Sequence, residues 1–370
     1  MVFDEVKKKL GFGCMRLPMK GDEIDYEEFS KMVDLFITSG FNYFDTAHPY
    51  VSERSEGAIK KCLSSRHERS SFLLANKLSG NYFKTKEDIR PLFFKQLELC
   101  GVEYFDFYLM HSQSRSNYGH FKDCDAYKEA LLLKKEGYIR HVGFSFHDSA
   151  EFLEEILKEN PEMEFVQLQI NYYDWESADI QSKKCYEVCQ KYHKPVIVME
   201  PVKGGKLANL SDEASSVLRE VEGEESAASF ALRFAASLED VFMVLSGMSA
   251  LEQVQENVEI MKDMRPFDAK EKAITEKVVE TIKKIPLIEC TSCKYCTEGC
   301  PKDIDIPEIF NIMNDKMKFP SADLSLSYTW ATRNRGKASD CIKCGKCERA
   351  CPQHLPIRDL LKQAASVYDK

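Results

Sequence analysis

Residues 26–46, YEEFSKMVDLFITSGFNYFDT, hold one helical pattern followed by one strand pattern. In the first part, apolar side chains recur at the spacing of one helix face, at Phe29, Met32, Val33 and Phe36. The second part, residues 41–46, is a short apolar run without clean alternation, as expected of a strand that is buried on both faces. The segment therefore predicts a helix that leads into a strand of a parallel sheet.

The same alternation continues along the chain as far as residue 265. Predicted strands lie at residues 10–14, 41–46, 72–77, 105–111, 139–144, 165–170, 195–200 and 241–246. Predicted helices lie at residues 26–39, 55–64, 86–100, 125–136, 149–158, 179–192, 226–238 and 251–262. Eight strand–helix units in about 255 residues match a (β/α)8 TIM barrel in number and length. We therefore expect an α/β fold with this barrel at residues 1–265.

A doubly wound open sheet is the competing arrangement for alternating strands and helices. Such sheets usually carry an early glycine-rich phosphate loop, and the chain contains no G-x-G-x-x-G. Within the barrel, Thr85 and Asp148 are the predicted caps of the third and fifth helices. A further helix at residues 266–286 is predicted to connect the barrel to a separate C-terminal domain.

Eight of the 14 cysteines form two runs with the same spacing, C-x2-C-x2-C-x3-C-P. This spacing is typical of bacterial ferredoxins with two 4Fe–4S clusters, in which the fourth cysteine of each run ligates the other cluster. One predicted ligand set is Cys290, Cys293, Cys296 and Cys351. The other predicted set is Cys341, Cys344, Cys347 and Cys300.

Zinc and disulfides are the alternative uses of these cysteines. Zinc usually takes two separated C-x2-C pairs, which is not the pattern seen here. Disulfides are disfavoured because residues 1–10 lack the apolar core of an export signal, so we expect a cytoplasmic protein with reduced thiols. The six remaining cysteines show no ligand spacing and are predicted to be buried: Cys14, Cys62, Cys100, Cys124, Cys185 and Cys189.

The segment between the two cysteine runs has a helical pattern. Ile309, Ile312 and Met313 follow helical spacing, and Pro307 suits a first helical turn. Residues 287–370 are therefore predicted to form a mainly α-helical ferredoxin-like domain, similar to those attached to fumarate reductases. Two classes of partner are not expected: the net charge of −9 disfavours nucleic acid, and no apolar run approaches the roughly 20 residues that span a membrane.

Four polar residues fall where strands of the barrel end, the edge at which such barrels carry their chemistry. They are Asp45, Tyr50, Lys77 and His111. Together they suit carbonyl reduction, because hydride arriving at carbon leaves charge on oxygen that an acid must protonate. Tyr50 would be that acid, with a pKa lowered by the Lys77 cation, while Asp45 would support Lys77 and His111 would orient the carbonyl.

These four residues resemble the Asp–Tyr–Lys–His tetrad of the aldo-keto reductases. The strand ends G143-F-S-F-H and V166-Q-L-Q extend the resemblance, which implies that Ser145 and Gln167 contact a nicotinamide carboxamide. The segment L245-S-G-M-S and the following Q253-V-Q-E-N resemble the part of the family that binds the cofactor phosphate, with Glu256 and Asn257 as adenine contacts. M199-E-P-V-K-G-G-K-L and the cysteine tail resemble the iron–sulfur branch of the superfamily.

The chain also departs from the family pattern. Phe146 stands where the family has an asparagine that contacts the carboxamide. Gly247 and Gln253 stand where NADPH-specific members have a lysine and an arginine, which weakens phosphate recognition and favours NADH.

The resulting hypothesis is an oxidoreductase that reduces a small carbonyl compound, or oxidises the alcohol, with a nicotinamide cofactor and two clusters that relay electrons. One alternative takes electrons from a ferredoxin or flavodoxin without nicotinamide, through a flavin. A second alternative is a redox-sensing barrel without enzymatic activity, and a third keeps the clusters as purely structural elements.

Overall fold

A computed structural model of the 370-residue chain describes residues 3–220 and 226–369. The chain divides into two compact units. The first comprises Met1–Gly204 and Ser229–Asp268, and the second comprises Gly205–Ala228 and Ala269–Lys370. Within the described residues, no helix has the length and apolar character needed to cross a membrane.

The first unit contains a closed barrel of eight strands. They are β1 (Leu10–Gly13), β2 (Tyr43–Asp45), β3 (Leu73–Leu78), β4 (Phe105–Gln113), β5 (Ile139–Phe146), β6 (Phe165–Gln169), β7 (Val196–Met199) and β8 (Val241–Gly247). Every strand is parallel to its neighbours, and β8 pairs with β1, with Leu10 opposite Val244. The predicted (β/α)8 barrel is confirmed. A short hairpin, Met19–Lys20 with Glu23–Ile24, lies between β1 and the first helix.

Helices alternate with these strands. They are α1 (Tyr26–Thr38), α2 (Ser55–Ile59), α3 (Ile89–Cys100), α4 (Tyr118–Asp123), α5 (Ala126–Lys135), α6 (Ala150–Glu159), α7 (Ser182–Lys191), α8 (Asp212–Leu218), α9 (Ala227–Ala236) and α10 (Leu251–Lys262). The predicted apolar face of α1 is confirmed, because all four of its apolar residues are buried. The predicted helix at residues 55–64 is split, since α2 continues as a π-helical turn, Lys60–Ser64.

The two predicted helix caps have different outcomes. Thr85 forms a capping box with Asp88 ahead of α3, as predicted. The prediction for Asp148 is wrong, because Ser149 caps α6 and its Oγ accepts a hydrogen bond from the Phe152 amide. Asp148 instead accepts hydrogen bonds from the Ser149 and Arg115 amides and so stabilises the preceding turn.

Aromatic side chains fill the end of the barrel where the strands begin. Phe3 contacts Phe107 and Phe242 edge-on, with ring centroids 5.3 and 4.8 Å apart. Beside it, His141 Nε2 lies 2.6 Å from a carboxylate oxygen of Glu5. Burying a phenylalanine of this kind contributes about 1.5–3 kcal/mol to stability. The residues before β1 therefore close this end of the barrel.

The second unit is helical. Its remaining helices are α11 (Ala269–Lys283), α12 (Tyr295–Glu298), α13 (Ile306–Lys318), α14 (Ser325–Thr332), α15 (Lys346–Ala350) and α16 (Ile357–Tyr368). Helix α11, predicted as a connector, packs against α8 within the second unit. An ion pair between Lys206 and Asp315 also links the segment after β7 to α13. Residues 205–228, which lie between β7 and β8, are thus grouped with the C-terminal helices.

Candidate functional site

The four predicted tetrad residues meet at the end of the barrel where the strands terminate. Asp45 is the last residue of β2, Lys77 lies near the end of β3, and His111 lies near the end of β4. Tyr50 lies in the turn between β2 and α2. The parallel register of β2, β3 and β4 brings these positions to one edge of the barrel.

Asp45 and Lys77 form a buried ion pair. Lys77 Nζ donates to Asp45 Oδ1 at 2.5 Å and to the carbonyl oxygen of Thr46 at 2.8 Å. The two residues are only 1% (Lys77) and 2% (Asp45) exposed. Burial is the largest single influence on the pKa of Lys77 and lowers it, but the charges and hydrogen bonds of Asp45 and Tyr50 together raise it by more, so the net shift is upward. The ammonium group therefore stays charged inside the barrel mouth.

Tyr50 lies against this cation. Lys77 Nζ is 4.8 Å from the centroid of the Tyr50 ring, and the ring of His111 approaches it edge-on at 5.9 Å. Burial raises the pKa of Tyr50, and Lys77 lowers it in part. Lys77 thus acts on the phenol in the predicted direction, but burial raises the pKa of Tyr50 by more than the cation lowers it.

His111 is a neutral imidazole in this setting. Its Nδ1 lies 2.6 Å from Ser79 Oγ, within hydrogen-bond distance. Burial, followed by the charges of Lys77 and His147, lowers the pKa of His111 well below its ordinary value of 6.5. Among the residues that the structure describes, its Nε2 has no hydrogen-bond partner, so this nitrogen remains for a ligand.

A buried polar network packs behind the tetrad, and it was not predicted from the sequence. Glu56 in α2 is fully buried, with Oε2 2.5 Å from His48 Nδ1 and Oε1 accepting from Asn76 Nδ2 at 2.8 Å. Asn76 Oδ1 in turn accepts a hydrogen bond from the Lys77 amide at 2.8 Å. Glu56 therefore connects the turn that carries Tyr50 with the strand that carries Lys77.

The same network extends to α3 and β4. Gln96 Nε2 donates to the carbonyl oxygen of Lys77 at 3.0 Å, and Tyr108 OH donates to Gln96 Oε1 at 2.6 Å. Both backbone polar groups of Lys77 are thus bonded to side chains. His48 stands two residues before Tyr50, and this position could have marked it as part of the site. Its partner Glu56 could be recognised only from the structure.

Ser145 and Gln167 lie side by side, because β5 and β6 pair with these two residues opposite each other. Ser145 Oγ accepts a hydrogen bond from the Ser112 amide at 2.7 Å, which leaves the hydroxyl hydrogen free to donate. Gln167 is 2% exposed, yet within the described chain its Oε1 has no hydrogen-bond partner. An unpaired buried amide oxygen is costly unless a ligand satisfies it, so this pair fits a polar amide-bearing cofactor.

Phe146 offers no polar contact at the adjoining position. It is buried, and its ring packs against Phe152 of α6 with the centroids 6.2 Å apart. The replacement of the family's asparagine therefore serves the packing between β5 and α6.

The predicted phosphate segment carries no cation at its two key positions. Gly247 ends β8, and Gln253 Oε1 accepts a hydrogen bond from the Ser249 amide at 2.8 Å. Glu256 is exposed, whereas Asn257 is buried and donates to Ser246 Oγ at 3.0 Å. These residues lie together at the end of β8 and along α10. The hydrogen bonds of Gln253 and Asn257 are made to other residues of the same segment.

Each cysteine run contributes to two separate cavities in the second unit. The cysteines that line one cavity are Cys290, Cys293, Cys296 and Cys351. Those that line the other are Cys300, Cys341, Cys344 and Cys347. The fourth cysteine of each run thus lies in the cavity of the other run, the arrangement predicted from the spacing.

The two cysteine loops also share their backbone conformation. Ser292 and Lys294 in the first loop are left-handed, with φ of 55° and 65°. Lys343 and Gly345 stand at the same places in the second loop, with φ of 58° and 70°. Four cysteines around one cavity, three of them on a loop with the C-x2-C-x2-C spacing, suit a cluster of several irons.

The six cysteines outside the runs are all buried, as predicted. Burial raises the pKa of the Cys185 thiol to about 12, which is the behaviour of an inert packed side chain.

Comparison with known proteins agrees with this geometry. The sequence pattern of the aldo/keto reductase family matches residues 9–280, which is most of the chain. The chain belongs to the aldo/keto reductase family. A second pattern, that of a 4Fe-4S dicluster domain, matches residues 289–355. The chain is therefore an oxidoreductase of this family with a C-terminal iron–sulfur domain.

Individual aldo/keto reductases and oxidoreductases are similar at a lower level. An uncharacterized oxidoreductase of Schizosaccharomyces pombe is 24% identical over 270 residues, covering 70% of this chain and 82% of that protein. An uncharacterized oxidoreductase of Bacillus subtilis is 23% identical over 307 residues, covering 75% and 94%.

Solved aldo-keto reductase structures share the barrel. The holo form of an aldo-keto reductase from Bacillus halodurans has a TM-score of 0.61 and 24% identity, covering 74% of this chain and 92% of that one. An aldo-keto reductase from Klebsiella pneumoniae in complex with NADPH has a TM-score of 0.59 and 17% identity, covering 74% and 95%.

Proposed function

We propose that this aldo/keto reductase reduces the carbonyl group of a small molecule, or oxidises the corresponding alcohol, with Tyr50 as the acid or base. We further propose that it uses a nicotinamide cofactor and holds two 4Fe–4S clusters. The observation that carries the proposal is the contact between the Tyr50 ring and the ammonium group of Lys77, which Asp45 keeps charged.

Tyr50 would give its proton to the carbonyl oxygen as charge develops there. A buried phenol resists losing a proton, and the raised pKa of Tyr50 reflects this cost. The Lys77 cation offsets the cost at the moment of transfer, because it stabilises the phenolate that forms. In the reverse direction the same phenolate would take the proton of an alcohol.

His111 would orient the substrate. As a neutral imidazole whose Nδ1 is engaged by Ser79, it can donate or accept one hydrogen bond through Nε2. Such a contact fixes the direction of the carbonyl group without adding a second charge to the site.

Ser145 and Gln167 would hold the carboxamide of the nicotinamide, which supplies the hydride when it is bound. The unpaired Gln167 Oε1 supports this assignment. Gly247, Gln253, Glu256 and Asn257 would line the remainder of the cofactor, and the lack of a cation at the first two favours NADH over NADPH. The NADPH complex of the Klebsiella pneumoniae structure supports a nicotinamide cofactor in general.

The eight cysteines of the runs would hold the two clusters, which transfer single electrons when they are bound. Cys351 and Cys300 would supply the crossed fourth ligands. A second candidate function follows from these cysteines and from the uncharged phosphate segment: a reductase that receives electrons from a ferredoxin or flavodoxin and passes them to substrate through a flavin.

The replacement Tyr50→Phe tests the main proposal. We expect the anaerobic oxidation of NADH with a panel of aldehydes to fall by at least about 100-fold, the usual contribution of a general acid. Tyr104→Phe is the control, because Tyr104 precedes β4 at the opposite end of the barrel and bonds to Arg140. Undiminished turnover in the Tyr50 variant would remove its assigned role.

Chemical analysis separates the two candidate functions. Anaerobically purified protein is expected to contain about eight irons and eight sulfides per chain and no flavin. Stoichiometric flavin, together with no turnover of NADH or NADPH, would favour the second candidate.

A further inference from the structure

The two cysteine loops are equivalent in spacing and backbone but differ in charge. The first loop reads CTSCKYCTEGC and carries Lys294 and Glu298 between its cysteines. The second reads CIKCGKCERAC and carries Lys343, Lys346, Glu348 and Arg349. The cysteines are sufficient to hold a cluster. The additional cations of the second loop therefore need a separate explanation.

Cations of the second loop are available at the surface. Lys343, Lys346 and Arg349 are exposed, and none pairs with an acidic residue in the described part of the chain. The one acidic residue of the loop, Glu348, is already neutralised by Arg358, whose Nε donates to it at 2.7 Å. A fourth exposed cation, Lys302, lines the cavity of the second run together with Lys346. None of the described residues that line this cavity is acidic.

An apolar contact point lies among these charges. Ile342 is 58% exposed, directly beside Cys341, and Cys344 is the exposed cysteine of the loop. The guanidinium of Arg349 lies over the loop, since a Cβ placed on Gly345 would be 3.3 Å from its Nη1. An exposed apolar residue that shares its cavity with exposed cations resembles part of the centre and rim of a transient protein interface.

We propose that the second cysteine loop is the docking face for an acidic one-electron carrier protein, with Ile342 at its centre and Lys302, Lys343, Lys346 and Arg349 around it. The inference rests on the proposed function in assuming that this loop holds a cluster. In each encounter the carrier is oxidised by one electron and this chain is reduced by one electron. Opposite charges would steer the carrier to the exposed Cys344 edge.

The first loop supplies the test variant. The double variant Lys343→Ser with Lys346→Tyr gives the second loop the side chains that the first loop has at the equivalent positions, Ser292 and Tyr295. The control, Lys283→Ser with Lys284→Tyr, removes the same charge from exposed residues at the end of α11. Iron and sulfide analysis establishes that each variant retains its clusters. If the double variant loses its clusters, the single variant Lys302→Ser is used in its place, because Lys302 lies outside the loop.

Reduction by flavodoxin hydroquinone is measured by stopped flow, without carbonyl substrate or nicotinamide. At low ionic strength the loop variant is expected to react at least about tenfold more slowly than the parent, and its salt dependence is expected to flatten. The control variant is expected to match the parent. In calorimetry, oxidised flavodoxin should bind the parent and the control variant with similar affinity and the loop variant more weakly.

A neutral photoreduced deazaflavin separates docking from an altered reduction potential. Unchanged reduction of the loop variant by this reductant supports docking. An equal loss with both reductants, an equal loss in the control variant, or no loss with flavodoxin would overturn the proposal. The Tyr50→Phe protein should accept electrons normally, so failure of the carbonyl chemistry and failure of the docking face give different results.

Discussion

At the scale of single residues, the Asp45–Lys77 pair is the most demanding feature of the barrel mouth. Both charges are buried, and such a pair persists only when its geometry is good and its remaining polar groups are bonded. Lys77 meets this condition, because Nζ also donates to the carbonyl oxygen of Thr46. The arrangement keeps a permanent cation beside Tyr50 without exposing it to water.

Removal of one charge should therefore be costly. We expect Asp45→Asn to lower the free energy of unfolding by about 3–5 kcal/mol, because it leaves the Lys77 cation buried without a counter-charge. Denaturant unfolding measures the change. The double variant Asp45→Asn with Lys77→Met should recover most of the loss, since it removes both charges. A single variant as stable as the parent would contradict the buried ion pair.

The pH dependence of carbonyl reduction should be flat near neutrality. Burial raises the pKa of Tyr50 above its ordinary value of 10.0 and lowers that of His111 well below 6.5. Tyr50 thus stays protonated and His111 stays neutral throughout this range. We expect kcat to change by less than about twofold between pH 7 and 9 and to fall only above about pH 10. A midpoint between pH 7 and 9 that disappears in Tyr50→Phe would show that the phenol is more acidic than its surroundings indicate.

At the scale of elements, α2 and β3 are held together by the side chain of Glu56. Its two carboxylate oxygens engage His48 and Asn76, which belong to the two segments that carry Tyr50 and Lys77. Among the described residues, Glu56 makes its side-chain hydrogen bonds to His48 and Asn76 and none to Tyr50 or Lys77. Its role is therefore to position the acid relative to the cation.

Substitution of Glu56 tests this role. We expect Glu56→Gln to lower kcat for carbonyl reduction by about tenfold, because small misplacements of reacting groups are costly. The KM for substrate should change little, and the pH profile should shift if the distance between Tyr50 and Lys77 changes. Glu53→Gln, an exposed carboxylate that bonds to Tyr82, is the matched control. A loss of stability without any change in kcat or pH profile would assign Glu56 a merely structural role.

Element positions could be predicted well from the sequence, because each barrel strand is a continuous apolar run between polar turns. The ends of β3 and β4 could be predicted for the same reason, and this placed Lys77 and His111 at the barrel mouth. Features that depend on three-dimensional neighbours were not predicted. They include the Glu56 network and the grouping of α8 with α11, which involve contacts that local patterns do not encode. The capping of α6 is a local contact, and its prediction was off by one residue because Asp148 and Ser149 are both good helix caps.

Across the whole molecule, the crossed cysteines would make the two proposed clusters dependent on each other. Cys300 belongs to the first run in sequence but lines the cavity of the second run. Cys351 belongs to the second run but lines the cavity of the first. This pairing could be predicted from the spacing alone, because the ferredoxin pattern fixes which cysteine crosses over.

Single replacements should reveal the crossover. We expect Cys300→Ser to disturb the cluster bound by Cys341, Cys344 and Cys347, and Cys351→Ser to disturb the other. Electron paramagnetic resonance of the reduced protein, with iron and sulfide analysis, distinguishes the two signals. Cys189→Ser is a control, because Cys189 is a buried cysteine of α7 in the barrel unit. A disturbance confined to the cluster of the same run would contradict the pairing.

The closure of the barrel has a consequence for its synthesis. β1 pairs with β2 and with β8, and Phe3 packs against Phe242 at the start of β8. On the ribosome, β1 is made early, but one of its edges stays unpaired until β8 emerges. Open strand edges and uncovered aromatic rings promote aggregation of nascent chains. Yields of intact enzyme should therefore depend on how well chaperones shield the growing polypeptide until the eighth strand completes the ring.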